Sequence, residues 1–208
     1  MKRIAIFGGS FNPIHHGHLL LAQAVFEAFG FDKILLVPCQ VSPFKQGQEP
    51  AVVAEASHRL EMVRLCVEDD ERFDVCDIEA KRQGVSYTID TVHELMTSHP
   101  NTRFSLVMGM DSLLDLHRWR QAHELVSLCD IVTVQRPGCD ETPALSSLHF
   151  PLEVSEKILK NCIRGRLCDI SSTEIRQRIA EGRSIRYLVP LAVETYILKH
   201  NLYRLLPS

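Results

Sequence analysis

The sequence lacks the features that mark membrane, secreted and metal-thiolate proteins. No apolar run approaches the roughly 20 residues of a membrane span, and Met1-Lys2-Arg3 leads straight into a short apolar run rather than a signal peptide. The seven cysteines include no pair with CxxC spacing, which favours free thiols in a reducing compartment. We therefore predict a cytoplasmic protein without a membrane partner.

The sequence also lacks a strong charge imbalance and the two common phosphate-binding loops. A formal net charge of −3 over 208 residues gives no sign of a nucleic-acid partner. Neither GxGxxG nor GxxxxGK[ST] occurs, so the standard dinucleotide and Walker sites are excluded. The length is enough for one well-buried α/β domain, so any basic site must be local.

What the sequence does have is a distinctive N-terminal stretch. Residues 4–7 form a short apolar run that ends at Gly8-Gly9, which predicts a buried parallel strand followed by a tight turn. Asn12-Pro13 is a turn signal, and residues 19–29 are apolar almost all round, which predicts a buried helix. A strand, a glycine turn and a helix N-terminus together favour an anion site, because free N–H groups and the helix dipole attract negative charge.

Three histidines stand at the mouth of this helix, in the run His15-His16-Gly17-His18. Imidazoles there can donate hydrogen bonds to phosphate oxygens. One alternative is a structural histidine, which a lone His would favour. A second is a zinc site, which lacks a nearby carboxylate or CxxC pair. The clustering beside Gly-Gly favours phosphate binding.

Further apolar runs predict the rest of a parallel sheet. Strands are expected over residues 33–37, 72–80, 103–108, 130–134 and 167–170, with an amphipathic core helix over residues 55–69. The fold class is therefore α/β, a Rossmann-like doubly wound parallel sheet with a small helical C-terminal subdomain. We expect a single domain with a core over residues 1–170 and the subdomain over residues 171–208.

Polar residues follow several of these strands, at the edge where α/β sheets bind ligands. Asp111 could accept hydrogen bonds from ribose hydroxyls or cap the next helix, and Arg136 could reach a phosphate. Ser171-Ser172-Thr173 with Arg176 forms a second anion site at a helix start, with more hydroxyl groups than a cap needs. Residues 86–91 predict a further helix start.

The N-terminal run resembles the signature of the HxGH nucleotidyltransferase superfamily, and more closely that of bacterial nicotinate-mononucleotide adenylyltransferases. Residues 170–176 match that family's ISSTxIR motif, and residues 86–91 and 109–119 are similar to its Ser-Tyr-Thr and GxDxxxxLxxW segments. Three positions differ from the family pattern: Asn12 stands where Asp is usual, Phe44 replaces a loop histidine, and Gln135 precedes Arg136.

The resemblance implies a role for each matching residue. His18 and His15 are the implied catalytic residues. The implied ATP-binding residues are Gly8, Gly9, Ser10, Phe11, His15, Gly17, His18, Gly109, Asp111, Ile170, Ser171, Ser172, Thr173 and Arg176. The implied nicotinate mononucleotide-binding residues are Ser10, Lys45, Tyr87, Thr88, Trp119 and Arg136.

The implied reaction belongs to NAD biosynthesis and transfers AMP from ATP to nicotinate mononucleotide, giving nicotinate adenine dinucleotide and pyrophosphate. No Asp/Glu cluster resembles a metal cage, so Mg²⁺ is expected to travel with ATP rather than in a protein metal site. Three alternatives stay open: a sister transferase using phosphopantetheine or glycerol phosphate, a preference for the amide mononucleotide, and a nucleotide-binding regulator without activity. A monomer or a homodimer is expected.

Overall fold

A six-stranded parallel sheet with flanking helices forms the fold. The computed structural model describes residues 1–41, 43, 53–135, 143–166 and 168–204. The strand order is β3-β2-β1-β4-β5-β6, in which the chain begins at the centre, builds outward to one edge and then crosses back to build the other. This order is that of a Rossmann-like doubly wound sheet, so the predicted fold class is confirmed.

The strands and helices alternate along most of the chain. The strands are β1 Lys2–Gly9, β2 Lys33–Pro38, β3 Phe73–Val75, β4 Thr102–Gly109, β5 Asp130–Gln135 and β6 Cys162–Arg164. The helices are α1 His16–Phe29, α2 Ala56–Val67, α3 Ile78–Lys81, α4 Thr88–Ser98, α5 Met110–Leu114, α6 Ala122–Leu128, α7 Leu152–Lys160, α8 Ser172–Ala180 and α9 Leu191–Lys199. Short 3₁₀ turns cover Leu116–Arg118 and Leu145–Leu148.

The central strands read as continuous apolar runs because both of their faces are covered. Ala5, Ile6 and Phe7 of β1 are all buried, and in the parallel register Ile6 pairs with Leu106 and Phe7 with Val107 of β4. Parallel pairing brings the carboxyl ends of β1 and β4 to the same edge of the sheet. The residues that follow these strands therefore lie where ligands bind in such folds.

Three parts of the predicted secondary structure are wrong. The strand expected over residues 72–80 ends at Val75, and Ile78 lies in the short helix α3. Residues 168–170 before α8 are not a strand, and the last strand of the sheet is Cys162–Arg164. The helix Leu152–Lys160, which precedes that strand, is not predicted either. The two strand errors fall on short, partly exposed segments, where apolar periodicity is weak.

The described chain forms two compact units. Unit 1 contains Met1–Gly8, Leu20–Leu35 and Tyr87–Cys168, and unit 2 contains Gly9–Leu19, Leu36–Ser86 and Asp169–Ser208. Unit 2 thus joins the turn after β1 to the whole C-terminal segment. The predicted division at residue 170 stays a prediction.

The structure bears on the state of the cysteines and on the presence of membrane-spanning helices, for the residues that it describes. Their six cysteines are all free thiols, and burial raises the pKa of Cys66 and Cys129 to about 12, which makes these two thiols poor nucleophiles. Among the helices that the structure describes, none is long and apolar enough to cross a membrane.

Asp130, the first residue of β5 in unit 1, forms ion pairs with two cations, and we expect their loss at low pH to lower the stability of the fold. Asp130 lies 2.7 Å from Arg103 Nη2 and 2.6 Å from Lys157 Nζ. Burial alone would raise the pKa of Asp130, but the bond and charge of Lys157, followed by those of Arg103, lower it. The carboxylate therefore stabilises the fold above its unfolded pKa, and this stabilisation is lost as the pH falls through the lower folded pKa.

We expect Asp130→Asn to lower the free energy of unfolding by about 1 kcal/mol at neutral pH, because both cations are largely exposed and screened. The difference from the wild type should shrink as the pH falls below about 4. Urea unfolding of both proteins across this range measures it. A difference that is constant with pH would mean that the charge of Asp130 is not the cause.

Candidate active site

The turn between β1 and α1 is shaped by Gly9 and Phe11. Phe11 has a backbone φ of 44° and is only 2% exposed, so its ring lies inside the turn rather than on its surface. A Cβ on Gly9 would stand 3.0 Å from that ring, closer than most Cβ contacts in folded proteins, so the ring would have to shift. Glycine at position 9 therefore lets the chain close over the Phe11 ring, which meets the ring of His18 edge-on at 5.1 Å.

His15 and His18 are brought together at the first turn of α1. Their rings lie 3.7 Å apart between centroids, tilted by 30°, and His15 is buried. The backbone N–H of His15 donates to Nδ1 of His18 over 3.3 Å, while the His15 carbonyl accepts from the N–H of His18 over 2.9 Å. The bond to Nδ1 is one half of a capping box, with a histidine side chain in the place of the usual Glu or Gln, whereas the second bond joins two backbone groups.

The capping bond also defines the chemistry available at His18. A ring whose Nδ1 accepts a hydrogen bond carries its proton, in the neutral form, on Nε2. His18 is therefore oriented as a donor through Nε2, which is what a phosphate oxygen requires.

Gly17 leaves room for the His15 ring. A Cβ at position 17 would stand 3.0 Å from two atoms of that ring and 3.5 Å from the carbonyl oxygen of Ile170. Any side chain there would press the His15 ring toward a new position. The G of the HxGH pattern thus has a steric reason in this chain. The short distance from position 17 to the Ile170 carbonyl also shows that Ile170, a predicted ATP-binding residue, lies beside the first turn of α1.

The start of α8 is joined to the same turn. Ser171 is the N-cap, and its Oγ accepts from the N–H of Glu174, as the sequence predicts. Ser172 Oγ donates to the carbonyl of Pro13 over 2.9 Å, and Arg176 Nη1 donates to the carbonyl of Asn12 over 2.9 Å. The N-termini of α1 and α8, which are the two predicted anion sites, are therefore neighbours.

Arg176 has one buried donor left over. Nη2 donates to Thr173 Oγ1 over 3.2 Å, while Nε is buried and finds no acceptor among the described residues. Burial lowers the pKa of the Arg176 guanidinium, with the neighbouring Tyr203 acting in the opposite direction. The lowering starts from a very high value, so Arg176 remains a cation at neutral pH.

Arg59 is a site residue that the sequence analysis does not identify. It is 2% exposed, and its guanidinium donates to three backbone carbonyls: Nη1 to Ser10 over 2.7 Å, Nη2 to Gln40 over 2.9 Å, and Nε to Ala54 over 2.9 Å. The sequence feature that could have identified Arg59 is its position on the apolar stripe of α2, where a charged residue is unusual. Arg59 lies one turn before the buried Val63.

Asn12 and Tyr203 form a second unpredicted contact. Oδ1 of Asn12 accepts from the backbone N–H of Ala54 over 3.0 Å and from the Tyr203 hydroxyl over 2.8 Å. Burial raises the pKa of Tyr203 above its usual value, against the lowering effect of Arg59 and Arg176, so the hydroxyl is a neutral donor. A separation of 191 residues explains why sequence spacing does not reveal this pair.

In unit 1, Gly8 and Gly109 border open space at the carboxyl ends of β1 and β4. A Cβ built on either glycine would meet no described atom within 4 Å, so the protein's own packing does not require glycine there. Asp111 is exposed in the first turn of α5, and the N-cap of that helix is Gly109. The alternative that Asp111 caps the helix is therefore wrong, and its carboxylate is accessible from solvent.

The predicted mononucleotide-binding residues of unit 1 lie near the start of α4. Tyr87 is the N-cap of α4 and makes no side-chain cap, and the helix begins at Thr88, within the predicted helix start over residues 86–91. The guanidinium of Arg120 lies 4.7 Å from the centre of the Tyr87 ring. Trp119, the neighbour of Arg120, and Thr88 are both half-buried. The segment of Trp119 therefore adjoins the start of α4.

Two predicted contacts, Lys45 and Arg136, lie outside the described residues, as does Phe44. Within the part of the chain that is described, no group of three or more His, Cys, Asp or Glu side chains could hold a metal ion. Of the remaining predicted residues, unit 2 holds Gly9, Ser10, Phe11, His15, Gly17, His18, Ile170, Ser171, Ser172, Thr173 and Arg176. Unit 1 holds Gly8, Gly109, Asp111, Tyr87, Thr88 and Trp119.

Comparison with known proteins finds relatives that match almost the whole chain. The chain shares 41% identity over 203 residues with a probable nicotinate-nucleotide adenylyltransferase of a Synechococcus strain, covering 97% of each protein. A protein of the same name from Herpetosiphon aurantiacus is 39% identical over 204 residues, covering 98% of this chain and 99% of the relative.

Solved structures match the same fold. The Plasmodium falciparum nicotinic acid mononucleotide adenylyltransferase complexed with NaAD superposes with a TM-score of 0.75 at 23% identity, covering 98% of both chains. The cytidylyltransferase-like family model matches residues 6–178, which include both helix N-termini of the site. The chain therefore belongs to the cytidylyltransferase-like family and, within it, to the nicotinate-nucleotide adenylyltransferases, which are nucleotidyltransferase enzymes.

Proposed function

We propose that this protein transfers AMP from ATP to nicotinate mononucleotide, giving nicotinate adenine dinucleotide and pyrophosphate, as a step of NAD biosynthesis. The observation that carries the proposal is the pairing of two helix N-termini through Ser172–Pro13 and Arg176–Asn12. Such a pair offers N–H groups, hydroxyls and a guanidinium to one polyanion. A triphosphate is the polyanion that the relatives' reaction supplies.

At the ATP end, His18 donates through Nε2 to the α-phosphate, with His15 beside it. The turn residues Gly8, Gly9, Ser10 and Phe11 approach the nucleotide through their backbone, as does Gly17. The start of α8, from Ile170 through Ser171, Ser172 and Thr173 to Arg176, takes the β- and γ-phosphates. The unpartnered Nε of Arg176 supports this assignment, because a phosphate oxygen would satisfy a buried donor. Gly109 and Asp111 face the ribose.

At the acceptor end, Trp119 stacks on the nicotinate ring, since a flat heterocycle suits an indole face. Thr88 and the backbone near Tyr87 bind the pyridine carboxylate at the start of α4. The cations Lys45 and Arg136, together with Ser10, bind the mononucleotide phosphate. The half-buried state of Trp119 and its proximity to α4 support this arrangement, because the ring keeps an accessible part.

The chemistry needs no covalent intermediate and no general base. An oxygen of the acceptor's phosphate, already anionic, attacks the α-phosphorus of ATP in line, and the bond from that phosphorus to the bridging oxygen of pyrophosphate breaks. The protein's task is to align two anions and to stabilise the charge that develops between them. Mg²⁺ enters with ATP, held by the phosphate oxygens.

Pyrophosphate release from ATP and Mg²⁺ tests this function directly. The wild type should release pyrophosphate with nicotinate mononucleotide and much more slowly with nicotinamide mononucleotide. A neutral amide accepts weaker hydrogen bonds than a carboxylate from the donors at the start of α4. Preference for the amide would overturn the acceptor assignment alone. Activity only with phosphopantetheine or glycerol phosphate would indicate a sister transferase, and ATP binding without turnover would indicate a regulator.

A further inference from the structure

The carbonyl and side-chain oxygens of Asn12 connect three separate parts of unit 2. Its backbone carbonyl accepts from Arg176 on α8, and its Oδ1 accepts from the N–H of Ala54 and from the hydroxyl of Tyr203, beyond α9. Asn12 is 4% exposed, so water cannot easily replace these donors. The side-chain bonds of Asn12 therefore help to hold the backbone segment whose carbonyl accepts from Arg176.

The adjoining residues extend this coupling to both helix N-termini. Pro13 accepts from Ser172 at the start of α8, and Ser10 accepts from the buried Arg59, which also holds the carbonyl of Ala54. A shift of Asn12 would therefore move the turn that leads into His15, together with the first turn of α8. The hydrogen bond from the Tyr203 hydroxyl can be removed by one conservative substitution, Tyr203→Phe.

We propose that Tyr203 is a positioning residue for the transfer reaction, which holds Asn12 so that the α1 and α8 N-termini bind one triphosphate at the correct spacing. The inference rests on the proposed function for its kinetic readout. Tyr203 touches no reacting atom in this scheme. Its hydroxyl acts through Asn12 on Arg176 and on the turn before His15.

The chain offers a matched control in Tyr196. Its hydroxyl also makes one hydrogen bond, to Nδ1 of His58 over 2.9 Å, and it lies on α9 within the same unit. Both Tyr→Phe changes remove one hydroxyl from the C-terminal segment, but only Tyr203 bonds to the turn. A general loss of C-terminal packing would affect the two variants alike, whereas positioning would affect Tyr203→Phe alone.

We expect Tyr203→Phe to lower kcat for pyrophosphate release by about ten- to hundredfold, as small misplacements of reacting groups do. Tyr196→Phe should keep the wild-type kcat. Thermal melting checks that both variants are folded. Equal kcat values in the two variants, whether both normal or both reduced, would overturn the inference.

Substitutions at Asn12 keep the test decisive if Tyr203→Phe folds poorly. Asn12→Asp retains an acceptor for both donors and should keep activity close to that of the wild type, whereas Asn12→Leu also leaves the Ala54 N–H without its acceptor and should lose at least as much as Tyr203→Phe. Adding Tyr203→Phe to Asn12→Leu should lower kcat no further, because the two residues act through one contact. Additive losses would contradict the coupling.

Calorimetric titration with ATP separates failure of the inference from failure of the proposed function. If the wild type binds ATP but turns over no acceptor, the proposed function is wrong. The inference still predicts an ATP dissociation constant about tenfold higher in Tyr203→Phe than in Tyr196→Phe. Equal dissociation constants, or no ATP binding by the wild type, would reject it.

Discussion

Replacing His18 by alanine is expected to lower kcat by about 10²–10³-fold, the usual effect of removing one preorganised donor from a developing oxyanion. The His18 ring is held by the His15 backbone N–H, the His15 ring at 3.7 Å and the Phe11 ring at 5.1 Å. A donor held in this way needs little reorganisation as charge builds up on the α-phosphate. Rapid-quench measurement of the first turnover with saturating ATP isolates the chemical step.

Two further variants separate the donor role of His18 from its capping role. His18→Gln can keep the capping bond to the His15 N–H, because Gln is a usual capping-box residue, but it removes the ring. It should melt close to the wild type and still lose most of kcat. His16→Ala changes the neighbouring histidine of the same motif and should leave kcat unchanged. A normal kcat in His18→Gln would show that His18 only caps the helix.

Replacing Arg59 by methionine is expected to lower the free energy of unfolding by roughly 3 kcal/mol, because hydrogen bonds from a charged donor contribute about 1.5–3 kcal/mol each. Removing a buried charge recovers part of its desolvation cost, which favours the variant. Against that gain, the carbonyls of Ser10, Gln40 and Ala54 all lose their donor. The loss of three hydrogen bonds outweighs the recovered desolvation free energy, so the variant should be less stable.

Urea unfolding measures this effect, with Arg64→Met as the control. Arg64 lies on the same helix, but its side chain is 48% exposed and its ion pairs among the described residues are with Glu61 and Asp77, so its loss should cost less than about 1 kcal/mol. Arg59→Lys should resemble Arg59→Met, since one ammonium group cannot replace a planar fork aimed at three carbonyls. An Arg59→Met variant as stable as Arg64→Met would mean that the three carbonyls find other donors.

The sheet could be predicted because its central strands carry a local signal. The runs that give β1, β2, β4 and β5 are almost entirely apolar, since both faces of these strands are covered, and each strand ends at a glycine, a proline or a polar residue. Strand β6 carries no such signal. Its three residues are half-buried or exposed, and it forms by pairing with β5.

The site divides in the same way between local and distant information. The HxGH run and the start of α8 could be predicted because helix capping and anion binding depend on neighbouring residues. The role of Arg59 could not, because its three acceptors come from positions 10, 40 and 54 of the chain. The contact of Asn12 with Tyr203 depends entirely on the finished fold.

The bonds from Asn12 and Pro13 to the C-terminal segment have a consequence for synthesis on the ribosome. They join residues 159, 164 and 191 positions apart. Contacts of such long range form late, after the loops between them close. A nascent chain can therefore pair its first strands long before these contacts form. The proposed triphosphate site should be complete only after Tyr203 has emerged from the ribosome.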